Sequence, residues 1–262
     1  MMEDKTVLLE TTDQGVAIVT LNRPRAMNAI NTDLKIELLD VMRQVSSDPK
    51  LKVVVLTGAG RAFCAGGDVK EMGGERTPVE RRDTMRNYLH ETLLLMHKME
   101  KPVIAAVNGF AVGAGCNLAM AADIILASDE ATFAQIFVKV GLVPDAGGFY
   151  LLPRLVGMPK AKELVFRGNK IDAREAERIG MVNAVFPAGE LMDQARAMAS
   201  ELAHGPTKAI GIAKTMLNQS AEMNFASALD YEAAVQAIVA TTDDHREGVK
   251  AFAEKRMPKF GK

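Results

Sequence analysis

The chain has 262 residues, 48% hydrophobic and 25% charged, enough to bury one large core without disulfides or metal. Its 32 basic and 33 acidic residues leave a formal net charge of -1, which gives no electrostatic handle for nucleic acid or an anionic membrane. Two cysteines, Cys64 and Cys116, are too few for a disulfide framework and fit a reducing compartment. The opening Met1-Met2-Glu3-Asp4-Lys5 is polar, unlike a signal or transit peptide, and apolar runs such as 53–56 and 103–107 are too short to span a bilayer. A cytoplasmic location is the expectation, with no nucleic-acid or membrane partner.

Residues 6–11 and 16–21 flank Asp13-Gln14-Gly15 and read as a β-hairpin. After a loop over 22–31, Leu34, Leu38, Val41, Met42 and Val45 recur at helical spacing. Residues 52–56 are a continuous apolar run, the pattern of a buried strand, and a glycine-bearing loop follows as far as Asp68. Residues 80–100 place Met85, Tyr88, Thr92, Leu95 and Met99 on one helical face. The pattern then repeats as a strand at 103–107, a second glycine-rich loop, a helix over 116–122 and a strand at 124–127. Asp145 precedes Ala146-Gly147-Gly148 and the apolar run 149–156, an arrangement suited to a helix N-cap. Residues 181–185 predict a last strand, and from about 190 onward the chain reads as helix, broken at Gly205-Pro206. Strands alternating with helices predict an α/β core over 1–195 and a helical region over 196–262, with no linker to mark the boundary.

Two loops carry glycine and alanine between an apolar strand and the next element: Cys64-Ala65-Gly66-Gly67-Asp68, and Asn108-Gly109 through Gly113-Ala114-Gly115. Small side chains let a ligand approach the backbone, and a helix start offers unpaired N–H donors. Two such donors aimed at one oxygen would stabilise an oxyanion; the plainer alternative is that these glycines serve only tight turns and close packing. A dinucleotide fingerprint at Gly113-Ala114-Gly115-Cys116-Asn117-Leu118 fails because Leu118 stands at its third glycine. Cys64 and Cys116 lack a histidine partner and read as small buried side chains. His90, His97, His204 and His245 have no metal-ligand spacing, so no metal is expected.

The runs Ala62-Phe63-Cys64-Ala65-Gly66-Gly67-Asp68-Val69-Lys70-Glu71-Met72 and Pro102-Val103-Ile104-Ala105-Ala106-Val107-Asn108-Gly109 through Ala122-Asp123 resemble the two oxyanion-hole segments of the crotonase (enoyl-CoA hydratase/isomerase) superfamily. Asn22-Arg23-Pro24-Arg25-Ala26-Met27-Asn28-Ala29 is similar to its CoA-binding loop, and Glu247-Gly248 through Phe252-Ala253-Glu254-Lys255-Arg256 to its C-terminal signature. The resemblance spans nearly the whole chain. It implies a spiral of ββα units with a C-terminal helical region, a homotrimer or dimer of trimers, and an acyl-CoA thioester substrate with no cofactor beyond coenzyme A.

By position, the resemblance makes the backbone N–H groups of Gly67 and Ala114 the oxyanion donors. It sets Arg25, Ala26, Ala65 and Lys70 along the CoA, with Phe252 and Lys255 reaching the CoA of the same or a neighbouring subunit. Asp68 reads as a structural cap beside the first donor. The two catalytic glutamates of the hydratases fall at Asn117 and Phe137, neither of which titrates. Asp145, in Gly141-Leu142-Val143-Pro144-Asp145, stands where several double-bond isomerases of the family carry an aspartate. Its apolar neighbours Phe137, Leu142, Val143 and Phe149 should desolvate it and raise its pKa. The expected activity is therefore double-bond movement by proton transfer. The alternatives are a hydratase with an unusual water site, a nucleophilic Asp145, and an acyl-CoA-binding protein without activity. Residues 71–84 are expected to fold over the pocket.

Overall fold

In the computed structural model, described here for residues 5–73 and 76–261, the chain opens with the expected hairpin. Strand β1 (Val7–Thr11) pairs antiparallel with β2 (Val16–Leu21), and helix α1 (Thr32–Ser47) follows, capped by the Asn31 side chain. Strands β3 (Val53–Gly58) and β4 (Ala62–Cys64) lead to a short helix α2 (Val69–Met72). Helices α3 (Pro78–Thr84) and α4 (Glu91–Lys98) are joined by a π-helical segment at Met85–His90 with the backbone right-handed throughout, so the helix expected over 80–100 is present with one widened stretch. Strands β5 (Val103–Val107) and β6 (Phe110–Val112) precede α5 (Ala114–Met120). Strands β7 (Ile124–Ser128) and β8 (Thr132–Ala134) precede α6 (Gly148–Val156) and α7 (Met158–Arg167). Strand β9 (Lys170–Asp172), α8 (Ala173–Arg178) and β10 (Ala184–Phe186) complete the core, and α9 (Leu191–His204), α10 (Thr207–Ser220), α11 (Phe225–Val239) and α12 (Asp243–Ala253) complete the chain.

The strands form two sheets, β1-β2-β3-β5-β7-β10 and β4-β6-β8-β9. Each of β3, β5 and β7 lies in the large sheet and is followed directly by a strand of the small one, which repeats the ββα unit. Beyond the opening hairpin the large sheet is parallel, and both of its faces are covered. Along β2 and β3 the side chains alternate between two cores. Ala17, Val19, Leu21, Val54 and Leu56 join the main core, while Val16, Ile18, Val53 and Val55 face α9. Burial on both faces explains why these strands read as unbroken apolar runs.

Helix α9 meets that second face with Leu191, Ala195, Ala199 and Ala203, one apolar position every helical turn. The boundary expected between 195 and 196 falls inside this helix. Its packing belongs to the sheet, and α10, α11 and α12 follow Gly205. Lys214 of α10 ties them back, its ammonium bonding Met96 O at 2.6 Å, Lys101 O at 2.9 Å and Asp123 Oδ2 at 2.7 Å.

Candidate active site

The small sheet brings the two glycine loops together. Strands β4 and β6 are parallel neighbours, with Ala62 opposite Phe110 and Cys64 opposite Ala111, so the chain leaves both in the same direction and side by side. A Cβ added to Gly66 would lie 2.7 Å from Val112 O and 3.6 Å from Ala114 N; one on Gly115 would lie 2.2 Å from Cys64 O. Only glycine permits that approach at either place, and Gly66 also has φ +92°. The packing and oxyanion readings of these glycines are therefore compatible: close packing is what sets the Ala114 N–H beside the first loop.

The free N–H groups follow from local geometry. Ile30 N–H donates to Gly66 O and Asp68 N–H to Ile30 O, so strand alternation turns the intervening Gly67 N–H to the opposite side. Ala114 is the first residue of α5, where a helix leaves its N–H without an intrahelical acceptor. Asp68 caps α2 by accepting from Lys70 N–H at 3.1 Å and pairs with Arg23 at 2.9 Å, in keeping with its structural reading. Burial raises its pKa, but the bonds from Arg23 and Lys70 outweigh that and hold it below the usual range.

The loop over 22–31 is fastened to this floor by a residue the sequence did not single out. Buried Asn28 donates to Ala59 O and Ala62 O and accepts from Arg23 N–H, while Ala65 N–H donates to Met27 O. Arg25 and Lys70 are exposed, and Ala26 and Ala65 are half-buried. Phe252, 88% exposed, and Lys255 lie at the end of α12. Among the described residues no hydrogen bond or ion pair joins either to the donor loops. The C-terminal signature has a structural basis too, since Arg256 holds Glu247 through both guanidinium nitrogens at 2.6 and 3.0 Å.

Asp145 does not cap α6. The N-cap is Gly147, with no side-chain bond to the helix. Residues 145–148 instead form a type I′ turn: Gly148 N–H donates to Asp145 O at 2.8 Å, and Ala146 and Gly147 have φ of 45° and 75°. Alanine in this region costs about 1–2 kcal/mol, so surrounding contacts must hold the turn. Ala146 is buried, and Asn117 Nδ2 donates to Asp145 O at 2.7 Å. Gln135 Nε2 in turn donates to Asn117 Oδ1 at 2.7 Å. Phe137 packs against the turn into α5, its ring 3.7 Å from where a Gly113 Cβ would sit.

The Asp145 carboxylate keeps one buried oxygen, Oδ1, without a hydrogen-bond partner. Burial pushes its pKa up to about 6, against its own backbone N–H and the Lys35 ammonium. The direction is the one expected, although most of the expected apolar neighbours are not themselves buried. Leu142, Val143 and Phe149 are exposed, and only Phe137 is buried. The stretch expected to fold over the pocket is anchored at Glu71, which accepts from Thr32 N–H at 2.9 Å and Thr32 Oγ1 at 3.0 Å; Arg76 donates to the same hydroxyl at 3.1 Å. Residues 74 and 75 of that stretch lie outside the described residues.

The two glycine loops thus lie side by side, and the turn that carries Asp145 is tied to the helix that follows the second of them. The family model described as Enoyl-CoA hydratase/isomerase matches residues 11–262. The short-chain-enoyl-CoA hydratase of Clostridium acetobutylicum is 41% identical over 258 residues, covering 97% of each chain. The 1,2-epoxyphenylacetyl-CoA isomerase of Escherichia coli K12 is 37% identical over 255 residues, again covering 97% of each. The crystal structure of an enoyl-CoA hydratase from Mycobacterium smegmatis superposes with a TM-score of 0.92 at 32% identity, covering 97% of this chain and 98% of that one. The chain belongs to the enoyl-CoA hydratase/isomerase family, within the crotonase superfamily, and is an acyl-CoA-processing enzyme of the lyase/isomerase type.

Proposed function

We propose that this enzyme moves a carbon–carbon double bond along an acyl-CoA, with Asp145 as the proton carrier and the Gly67 and Ala114 N–H groups as the oxyanion hole. Starting from a 3-enoyl thioester, the Asp145 carboxylate removes a proton from C2. The C–H electron pair moves into the carbonyl, and the resulting enolate oxygen is stabilised by the two N–H donors. The carbonyl then re-forms, the C1–C2 π pair shifts to C2–C3, the C3–C4 π pair takes the proton back from Asp145 at C4, and no atom is gained or lost. The step needs no group beyond the substrate's own coenzyme A.

The observation that carries this reading is the unpartnered Oδ1 of Asp145 on a carboxyl raised to about 6, which suits a group that must both take and return a proton. Relatives named for hydration and for isomerisation are similarly close, so their names do not choose between the reactions. Side chains do. Asn117 is committed to Asp145 O and Gln135, and Phe137 is a hydrocarbon, which leaves neither to hold and deprotonate a water. The deciding assay sets 3-enoyl-CoA isomerisation beside crotonyl-CoA hydration. Isomerisation much the faster supports the reading, dominant hydration points to an unusual hydratase, and acyl-CoA binding without turnover points to a binding protein.

Arg25, Ala26, Ala65 and Lys70 are the proposed CoA contacts, supported by the bonds that tie the 22–31 loop to the first glycine loop, Ala65 N–H to Met27 O and Arg23 to Asp68. A trimer, or a dimer of trimers, is the proposed assembly. Helix α11 buries only Val235 and leaves Phe225, Leu229 and Ile238 exposed, and Phe149 beside the Asp145 turn is 74% exposed. Covering these apolar faces with a second copy would remove them from water and would give Phe252 and Lys255 a neighbour's site to serve. The two buried free cysteines suit the cytoplasm.

A further inference from the structure

Asn117 and Gln135 are buried polar side chains with no part in the proton transfer, yet they converge on the turn that carries Asp145. Asn117 lies on α5, one helical turn beyond the second oxyanion donor, Ala114, and its own N–H donates to Gly113 O. Its side chain spans 28 residues of sequence to reach Asp145 O. The contact is tight, since a Cβ on Gly148 would lie 2.2 Å from Asn117 Nδ2. Gln135, at the end of β8, fixes the amide by donating to Asn117 Oδ1 and also reaches Cys116 Sγ at 3.4 Å. That donation commits the Asn117 oxygen as acceptor and turns its NH2 towards Asp145 O.

The clamp matters because of what lies next to it. Helix α6 begins at Gly148, three residues beyond Asp145, and its first turn has N–H groups that no side chain caps. A carboxylate so close to a helix start is attracted by the positive end of the helix dipole and its unpaired N–H groups. The left-handed Ala146 and Gly147 prevent this by curling the backbone so that Asp145 meets the helix through its carbonyl oxygen alone. Alanine has no preference for that conformation, so the turn depends on its contacts to persist.

We propose that Asn117, oriented by Gln135, is a positioning residue that locks the left-handed turn over 145–148 and so keeps the Asp145 carboxylate in the acyl site and off the N-terminus of α6. The inference rests on the reading of Asp145 as the proton carrier. The charged groups facing Asp145 are few. Lys35 of α1 acts on it directly, while Glu71 of α2 holds Lys35 at 3.8 Å and is itself paired with Arg76 at 3.7 Å. None of these touches Asn117 or Gln135, so releasing the clamp leaves that charge environment in place.

The test follows the Asp145 carboxyl by NMR on protein labelled with [13C]aspartate, its signal assigned by loss in Asp145→Asn. In the unaltered enzyme it should titrate near 6, as its burial dictates. In Asn117→Leu, which keeps the bulk but cannot donate, the carboxylate should fall onto the helix and titrate at or below the ordinary 3.8. The kcat for 3-enoyl-CoA isomerisation should drop roughly 100-fold while KM stays within a few-fold, as expected when a reacting group is misplaced. If Asn117→Leu does not fold, Gln135→Leu frees the Asn117 amide and should move the same signal in the same direction. A signal near 6 in the folded variant overturns the inference and leaves Asp145 as the base. An Asp145→Asn enzyme that still moves the double bond overturns that reading itself, whatever the clamp variants do.

Discussion

The Lys214 ammonium lies 2.7 Å from Asp123 Oδ2, and its side chain is only 6% exposed. The same Asp123 oxygen accepts from Val103 N–H, so a single carboxylate joins α10 to the start of β5 and the end of α5. Burial lowers the Lys214 pKa and raises that of Asp123, while each charge opposes the shift of its partner. Removing one member strands the other. Lys214→Met should cost about 3–5 kcal/mol of stability, measured by denaturant unfolding, and Lys214→Met with Asp123→Leu should recover part of it.

The proposed second oxyanion donor can be deleted at a helix position that tolerates the change. Ala114 is the first residue of α5, a position that accepts proline because the missing N–H has no intrahelical role. Ala114→Pro should lower kcat about 100- to 1,000-fold, with the circular dichroism spectrum retained. Ala114→Gly keeps the donor and should stay within a few-fold of the unaltered enzyme.

The ionisation of Asp145 sets two pH dependences of opposite sense. Proton abstraction needs the carboxylate, so kcat/KM should rise with pH through an apparent pKa of about 6. For stability, a pKa raised on folding means that the folded chain holds the proton more tightly than the unfolded chain. Stability therefore falls as pH climbs from 3.8 to about 6 and levels off above it. Asp145→Asn should be the more stable protein at pH 8, by up to about 3 kcal/mol, with the gain vanishing near pH 4. Thermal unfolding of both proteins across that range checks the sign.

The exposed apolar faces on α11 and at Phe149 lead to a prediction about assembly. Sedimentation equilibrium should find three copies or a multiple of three. Phe225→Glu with Leu229→Glu should shift the protein to smaller species, whereas a monomeric unaltered chain would contradict the proposed use of these faces.

The long elements were legible because burial on two faces leaves an unmistakable pattern: β2, β3 and β5 are continuous apolar runs, and α1 buries Leu34, Leu38, Met42 and Val45 at helical spacing. Strands β4, β6, β8 and β9 were not legible. Each has three residues, too few for any alternation to show, and their partners come from distant parts of the chain. Asn28, Gln135 and Lys214 escaped for a related reason, since a polar residue gives no local sign that its acceptors lie up to 118 residues away. Asp145 was legible as a candidate through the resemblance, but its local sequence argued for a cap. What decides otherwise is the left-handed Ala146, a conformation that alanine does not announce.

The central claim is that Asp145 carries the proton, and one comparison tests it most directly. The conversion of a 3-enoyl-CoA to its conjugated isomer should be followed in the unaltered enzyme and in Asp145→Asn, with the Kd for a saturated acyl-CoA measured on both. The account predicts a loss in kcat of about 100- to 10,000-fold with the Kd unchanged within a few-fold. Isomerisation at the unaltered rate in Asp145→Asn would contradict it.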